Sequence, residues 1–413
     1  MRIAFVYDAL VPYCSGGAER RFHELATRLA IRHDVHYVTW RYWGDDPILV
    51  QDGITYHGVG APRPFYGADG RRIVREQLSF AARVPGAVAR IHPDVVDVSA
   101  TPFLPVYAAW LGTRLTRTPL VATWHEFWGE HWHAYLEDRR LVARLARIGE
   151  AGARPLADRR VAVSAFTARR LADETPRRES RGWYERTEVV ANGVDVEALS
   201  AAGSRRPAAR RVDVLFVGRL IAEKRVDMLI RAIATLATSR PWLRCEIVGD
   251  GPERERLDAL VRELGVAAQV TLAGRLAEGE LPARLGDARI LAMPSAREGY
   301  GITVVEGQAA GAVPIVARSR LSAAPDLVEP GVDGLVVDGT VEAFASAIAD
   351  LLDHPGSLER VSAAARATGA SRGWDDRAAE LERVYASLVL RRVPPPIRIP
   401  GGATAEPHRS AGT

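Results

Sequence analysis

Lysine is almost absent from this sequence. Among its 55 basic residues, Lys224 is the only lysine, and all the others are arginine. A lysine ammonium is a compact charge on a thin stem, and a planar guanidinium does not replace it where space is tight. The position that keeps a lysine is therefore a candidate site residue before any motif is considered.

Cysteines and long apolar runs are scarce as well, and the net charge is small. Each of these features argues against a class of protein. The two cysteines, Cys14 and Cys245, lie far apart and lack metal-ligand spacing, which argues against a disulfide framework and a structural zinc. A net charge of +4 is small for 413 residues, and without a recognition-helix or zinc-finger pattern it indicates no nucleic-acid partner. Because no apolar run could span a bilayer and no cleavable signal precedes the first strand, we expect a cytoplasmic protein.

The sequence does contain a regular alternation of strand and helix patterns. Short apolar runs alternate with helical periods through both halves, which is typical of α/β domains with doubly wound parallel sheets. We expect one domain over residues 1–200 and a second over 205–373, with a last helix, 374–390, that returns to the first. Residues 71–91 are expected to form a single helix, and 391–413, rich in Pro, Gly and Ala, a disordered tail.

The most informative stretch covers residues 294–306. It follows an apolar run, 289–293, that predicts a buried parallel strand, and it leads into a helix that Gly311 should end. Amides at a helix start and the positive end of its dipole favour a phosphate there. Glu298 in the loop and Glu306 about one turn into the helix suit sugar hydroxyls, because a carboxylate accepts from both O–H groups of a diol. The stretch therefore indicates a ligand with both phosphate and sugar.

Other strand ends of the second half carry groups suited to a diphosphate. Arg219 and Lys224 follow the strand pattern 212–217, and two cations with backbone amides neutralise a diphosphate. The next two strand patterns end at Gly249, Gly274 and Arg275. Because the carboxyl ends of parallel strands meet at one edge of a sheet, we expect all these groups to converge.

The first half offers two weaker candidates. Gly16 and Gly17 open a helix, where bare amides could contact a phosphate or simply form a turn; the dinucleotide fingerprint G-x-G-x-x-G is absent. His125 follows the apolar strand pattern 119–124 among aromatic residues. It could donate to a sugar hydroxyl or be an ordinary packed histidine, and the residues alone do not decide.

Residues 138–186 form a basic segment. They contain 13 arginines against seven acidic residues, a balance of +6. In the helix expected there, one stripe holds apolar residues and another holds arginines: Leu141, Leu145 and Ile148, and Arg140, Arg144 and Arg147. Such a helix is usually a solvated helix packed on its own domain. The alternative is a basic amphipathic helix that rests on an anionic surface at the inner face of a membrane.

Five motifs, in this order, resemble the signatures of the retaining glycosyltransferase family 4. They are Pro12 with Gly16-Gly17-Ala18-Glu19-Arg20, Asn192-Gly193-Val194-Asp195, Gly218-Arg219-Leu220 with Glu223-Lys224, Gly249-Asp250-Gly251-Pro252, and Glu298-Gly299-Tyr300-Gly301-Ile302 with Glu306. The resemblance covers residues 1–390. It implies a GT-B fold, in which two Rossmann-like domains face each other across a cleft. The second domain would hold a nucleotide-sugar donor, and the first would hold most of the acceptor.

The resemblance also implies roles for single residues. Glu306 would hold the ribose hydroxyls, and Arg219 and Lys224 the donor diphosphate. Glu298 would contact hydroxyls of the transferred sugar, and the amides after it would contact phosphate or sugar: Gly299, Tyr300, Gly301 and Ile302. Gly17 would approach the phosphates from the first domain, and His125 would line the sugar pocket. Family members commonly have Asp after this histidine, whereas Glu126 follows here.

The implied reaction moves a sugar from a nucleotide-diphosphate sugar to a hydroxyl acceptor with retention, by a same-face mechanism. No cofactor or metal is expected, and the lack of a D-x-D pair in a plausible phosphate loop agrees. The alternatives are a nucleotide-sugar epimerase of the same architecture and a sugar-nucleotide sensor without turnover. The donor's base and sugar stay open, as does the acceptor, which would be a lipid-linked sugar, a polysaccharide or a small aglycone.

Overall fold

A computed structural model describes residues 1–14, 16–67, 71–173, 186–204, 211–277 and 279–390. The first half contains strands β1 (Arg2–Val6), β2 (Asp34–Thr39), β3 (Ile48–Gln51), β4 (Ile54–Gly58), β5 (Val95–Ser99), β6 (Leu120–Trp124), β7 (Arg159–Ala162) and β8 (Thr187–Val189). Its helices are α1 (Gly17–Ala30), α2 (Val74–Ala81), α3 (Val84–Ile91), α4 (Leu104–Thr116), α5 (His131–Tyr135), α6 (Arg140–Ala153) and α7 (Ala165–Asp173).

The second half continues the alternation of strands and helices. Its strands are β9 (Val212–Val217), β10 (Cys245–Val248), β11 (Val270–Gly274), β12 (Ala288–Met293), β13 (Arg297–Glu298), β14 (Val313–Arg318), β15 (Leu321–Ser322) and β16 (Leu335–Asp338). Its helices are α8 (Val196–Gly203), α9 (Val226–Ala237), α10 (Arg254–Glu263), α11 (Leu281–Asp287), α12 (Ile302–Ala310), α13 (Val341–Asp353), α14 (Pro355–Ala370) and α15 (Trp374–Leu390).

The strands form two large sheets with the strand order of doubly wound folds. In the first half the order is β3-β4-β2-β1-β5-β6-β7-β8, with only the β3–β4 pair antiparallel. In the second half it is β11-β10-β9-β12-β14-β16, all parallel. Each sheet reverses its winding once, between β1 and β5 and between β9 and β12. Ligands of such sheets bind at that point, beyond the carboxyl ends of the strands.

Burial explains why these segments are strands. Residues 3–6 of β1 and 212–216 of β9 are buried without interruption, as expected where helices cover both faces of a parallel sheet. Predicted strands with such apolar runs appear within about two residues of their expected ends. β7 was not predicted, because its buried arginines, Arg159 and Arg160, break the apolar pattern that identifies a strand.

The single helix predicted over residues 71–91 is wrong. The structure has two helices there, α2 and α3, separated at residues 82–83. Pro85 lies in the first turn of α3, and it explains the break. A proline has no N–H to continue the ladder of the preceding helix, and its ring collides with the carbonyl four residues earlier.

Helix α15 packs on the first half. Trp374 and Tyr385 are fully buried there with Phe5 and Phe22, and the Tyr385 hydroxyl donates to Asp97 Oδ2 at 2.5 Å. The two segments that connect the halves also run side by side, since residue 194 forms a parallel bridge with residue 373. The domain limits at 200 and 205 stay predictions. The predicted tail, 391–413, lies outside the described residues, as does much of the basic segment after residue 173.

Candidate functional site

Strand ends of the second sheet meet at one place. The amide of Gly218 donates to Val248 O at 3.0 Å, and the amide of Gly249 donates to Gly274 O at 2.7 Å. Gly249 has a φ of +138°, and a β-carbon there would lie 1.8 Å from Gly218 O, so this close approach requires glycine. The amide of Ala296 donates to Glu223 O at 2.8 Å and joins the loop after β12 to the same place.

Lys224 and Glu298 form an ion pair at this convergence. Lys224 Nζ lies 2.5 Å from Glu298 Oε1, and the two side chains are 20% and 11% exposed. The Lys224 side chain passes beside Gly218, where a β-carbon would lie 4.0 Å from its Cε. The sole lysine of the sequence thus pairs with Glu298, the first of the two glutamates in residues 294–306.

Helix α12 begins directly after this pair. Gly301 precedes the helix with a φ of +94°, and Gly311 follows it with a φ of +76°, so both ends use the left-handed conformation that favours glycine. The amides of Ile302 and Thr303 belong to the first turn and have no acceptor within the helix. They are therefore available to a phosphate, and the helix dipole favours one there.

Glu306 is buried one turn into α12. Its carboxylate forms an ion pair with Arg20, which comes from α1 in the first half. Burial raises the pKa of Glu306, and the guanidinium of Arg20 opposes that shift. Arg20 lies within the first sequence motif but was assigned no role, because only the fold brings it to Glu306.

The first half contacts the loop between Glu298 and α12. The carbonyl of Gly299 accepts hydrogen bonds from Ser164 Oγ at 2.9 Å and Thr167 Oγ1 at 3.2 Å. A β-carbon on Gly299 would lie 2.1 Å from His125 O, and one on Gly17 would lie 3.8 Å from Ile302 Cγ2. Gly17 therefore lies opposite α12 at the start of α1, and both Gly17 and Gly16 before it are exposed.

His125 lies at the end of β6 beside this loop. Its ring packs against Tyr7 and Phe22, with ring centroids 6.3 and 5.6 Å away. Burial, reinforced by the charge of Arg21, lowers the pKa of His125 to about 3, so the imidazole is neutral at pH 7. Its Nε2 is buried and has no hydrogen-bond partner among the described residues. A neutral imidazole with an unused nitrogen is suited to a sugar hydroxyl.

Glu126, the departure from the family pattern, has a partner in the second half. Its Oε1 lies 2.5 Å from Arg297 Nε, and the Arg297 guanidinium stacks 3.6 Å above the ring of Trp128. Burial raises the pKa of Glu126, and Arg297 opposes that shift. Sequence reasoning missed Arg297, although it lies one position before Glu298.

Three other predicted site residues have partners of their own. The guanidinium of Arg219 lies 4.4 Å above the ring of Tyr66 in the first half. Arg275 is largely exposed, with Nε 3.8 Å from Asp250 Oδ2. The ring of Tyr300 is buried and its hydroxyl donates to the backbone of residue 192 at 3.0 Å, so Tyr300 offers a ligand its backbone only.

Comparisons with known proteins identify the family of this chain. The family model Glycosyltransferase Family 4 matches residues 15–198, and Glycosyl transferases group 1 matches residues 204–368. A D-inositol 3-phosphate glycosyltransferase of Streptomyces scabiei is 31% identical over 397 residues, which cover 91% of this chain and 87% of the relative. Another, of Thermobispora bispora, is 32% identical over 400 residues, 91% of each chain. The chain belongs to glycosyltransferase family 4.

Solved structures establish the fold of this glycosyltransferase. Anabaena Alr3699/HepE in complex with UDP and glucose has a TM-score of 0.71 at 21% identity, over 94% of this chain and 100% of that one. Sucrose-phosphate synthase of Thermosynechococcus elongatus has a TM-score of 0.76 at 18% identity, over 94% and 99%. The predictions of the family, of the α/β GT-B fold and of a transferase are confirmed.

Proposed function

We propose that this glycosyltransferase transfers a sugar from a nucleotide-diphosphate sugar to a hydroxyl acceptor, with retention and without a metal ion. The observation that carries the proposal is the order of groups along one edge of the second sheet. The Lys224–Glu298 pair is followed by the start of α12 and then by buried Glu306. Glu298 would take the sugar, Lys224 and the start of α12 the diphosphate, and Glu306 the ribose, which is the order in which a nucleotide sugar contains these parts. The structural neighbour HepE, which binds UDP and UDP-glucose, supports such a donor.

The proposed chemistry depends on charge at the leaving group. A glycosyl bond to a diphosphate breaks through an oxocarbenium-like sugar, while negative charge develops on the departing phosphate. The Lys224 ammonium and the first amides of α12 would stabilise that charge, as an oxyanion hole does. Arg219, in the loop with Lys224, would supply a second cation once it leaves Tyr66. These cations would take the place of a divalent metal.

Same-face attack fits the surroundings of Glu298. Its carboxylate is held by Lys224, so it is placed to orient sugar hydroxyls. We therefore assign the acceptor's proton to the leaving phosphate oxygen, and His125 to the wall of the sugar pocket. Isolation of a covalent sugar on Glu298 would refute this mechanism, and so would a product with inverted configuration by NMR.

The donor is tested by thermal stabilisation of the protein, because a ligand that binds only the folded state raises the melting temperature by mass action. UDP-, GDP- and ADP-sugars form the panel, with and without EDTA. We expect one of them to stabilise the protein equally in both conditions. Glu306→Gln should remove the effect, whereas Glu263→Gln, an exposed glutamate on α10, should keep it. Stabilisation by none of them, or equal stabilisation of Glu306→Gln, would contradict the proposal.

The epimerase alternative predicts a different product. An epimerase needs no acceptor, so incubation of the stabilising donor alone should yield its epimer rapidly. We expect only slow hydrolysis instead. Acceptors are then screened with that donor. D-inositol 3-phosphate comes first, because it appears in the names of the relatives, and lipid-linked sugars and polysaccharides follow.

A further inference from the structure

We propose that one face of α6 binds an anionic membrane surface. The face consists of Leu141, Leu145 and Ile148, which we call the leucine stripe. These side chains lie four and three residues apart and so share one side of the helix. They are 71%, 59% and 58% exposed, respectively. Single exposed apolar residues are ordinary, but an uninterrupted apolar stripe on a surface helix marks a site of interaction.

The orientation of α6 is fixed by its opposite side, which is made of small residues. Ala143 and Ala153 are buried, and a β-carbon on Gly149 would lie 2.8 Å from the ring of Phe103. The hydroxyl of Tyr107 donates to Gly149 O at 2.7 Å. Because small residues bring this side close to α4, the leucine stripe cannot turn inward without breaking these contacts.

The buried carboxylate of Glu150 also fixes this orientation of α6. Glu150 accepts hydrogen bonds from the amides of Trp128 and Gly129 at 2.9 and 2.8 Å, and from Trp132 Nε1 at 2.9 Å. Rotation of α6 would leave these buried N–H groups without their acceptor, which is energetically costly. The exposure of the leucine stripe is therefore a property of the fold.

Arginines flank the leucine stripe on one side. Arg140 and Arg144 are exposed, and no ion pair joins either of them to a carboxylate among the described residues. Both also line a cavity of about 440 Å³ together with His133 and Glu137. Apolar side chains beside cations match the acyl chains and phosphates at the surface of an anionic bilayer.

Charge favours a membrane over a second copy of this chain. A symmetric contact through the leucine stripe would bring Arg140 and Arg144 of two copies together, and these two cations outnumber Glu137, the carboxylate that lines the same cavity. Anionic headgroups would neutralise them. None of the described helices is long and apolar enough to cross a membrane, so the proposed contact is peripheral. The inference concerns α6 alone and does not depend on the proposed donor chemistry.

The test is cosedimentation with vesicles of phosphatidylcholine, alone or mixed with phosphatidylglycerol. One variant combines Leu141→Gln, Leu145→Gln and Ile148→Gln, and a second combines Arg140→Gln and Arg144→Gln. A control combines Ile31→Gln and Val50→Gln, exposed apolar residues that lie elsewhere. We expect the wild type and the control to bind the mixed vesicles about tenfold more tightly than the neutral ones, and salt to weaken that binding. Both α6 variants should lose this preference.

Two results would overturn the proposal. The first is no preference of the wild type for the mixed vesicles, or an unchanged preference in both α6 variants. The second is a wild-type dimer in solution that the leucine variant converts to a monomer, which would assign the stripe to a second copy. The melting temperature of each variant shows that it is folded, since every substitution replaces an exposed side chain.

Discussion

Lys224 is the residue on which the account depends most. Its rarity in an arginine-rich sequence indicated a site before any motif did, and the structure places its ammonium 2.5 Å from Glu298. A guanidinium is planar and wider than an ammonium, so an arginine would not place its charge on the carboxylate in the same way.

We predict that Lys224→Ala lowers kcat by about 100- to 1000-fold, the usual effect of removing one group that stabilises a developing oxyanion. Lys224→Arg should recover only part of the rate, because a planar guanidinium spreads its charge and does not act as a point charge like an ammonium. The release of nucleoside diphosphate measures the rate, and circular dichroism verifies the fold. Arg284→Ala is the matched control, since Arg284 pairs with Glu246 on the same half. Near-normal turnover by folded Lys224→Ala would remove Lys224 from the mechanism.

The pair of Glu126 and Arg297 joins the two halves beside the site, and its side chains are only 23% and 7% exposed. Removal of one partner leaves a mostly buried charge unpaired, so we expect Arg297→Met to lower the free energy of unfolding by about 2–4 kcal/mol. The double variant, Glu126→Gln with Arg297→Met, should lose at least about 1 kcal/mol less than the sum of the single variants. Urea denaturation measures all three. Additive losses would show that the two side chains do not interact.

The sequence predicted some site residues and missed others for a physical reason. Glu298, Glu306 and Lys224 lie near glycines or strand ends, whose local pattern predicts a phosphate site. Arg20 and Arg297 act across the two halves, and Arg20 is 286 residues from its partner. No local periodicity records such a contact, because it depends on how two sheets face each other.

At the scale of elements, the loop from Glu298 to α12 packs directly against the first half. We predict that Gly299→Ala lowers activity at least tenfold while secondary structure is kept. A β-carbon there would lie 2.1 Å from the carbonyl oxygen of His125, so the halves must separate or the loop must shift, and small displacements at a reacting centre are costly. Gly356→Ala is the control, because a β-carbon at Gly356 meets no atom within 4 Å. Equal activity of the two variants would contradict the close packing described here.

The contacts that Glu150 of α6 makes can be tested by the pH dependence of the protein's stability. Burial raises the pKa of Glu150 to about 7, although three N–H groups donate to it. A carboxyl group whose pKa is higher in the folded state stabilises the protein fully below about pH 4.5, and this contribution is lost as the pH rises through 7.

In Glu150→Gln this dependence should disappear. Between pH 4.5 and 7, the free energy of unfolding of the wild type should fall more steeply than that of the variant, by up to about 1.4 kcal/mol per pH unit. Chemical denaturation over this range measures the difference, and Glu263→Gln, an exposed glutamate, should follow the wild type. Parallel curves for the wild type and Glu150→Gln would show that Glu150 keeps an ordinary pKa.

Elements were predictable to different degrees. Buried parallel strands have continuous apolar runs, so most of them could be located from the sequence. The orientation of α6 could not be predicted, because its most apolar stripe faces outward and its small residues pack inward. A reader of the sequence would expect the opposite, since apolar residues usually identify the buried side of a helix.

At the scale of the whole molecule, the alternation of strands and helices predicted two doubly wound sheets but not their strand order. That order depends on which strands pair, and the local pattern of a single sequence does not indicate which distant strands are neighbours. The return of α15 to the first half places both connections between the halves side by side, at residues 194 and 373.

The central claim is that the second half binds a nucleotide diphosphate at the ends of β9 and β12. The most direct test is a crystal structure with the nucleoside diphosphate of whichever donor stabilises the protein. We predict that the diphosphate lies within hydrogen-bonding distance of Lys224 Nζ and the first amides of α12. We also predict that the ribose hydroxyls replace Arg20 at Glu306. A nucleotide bound away from Lys224, with Glu306 still paired to Arg20, would contradict the account.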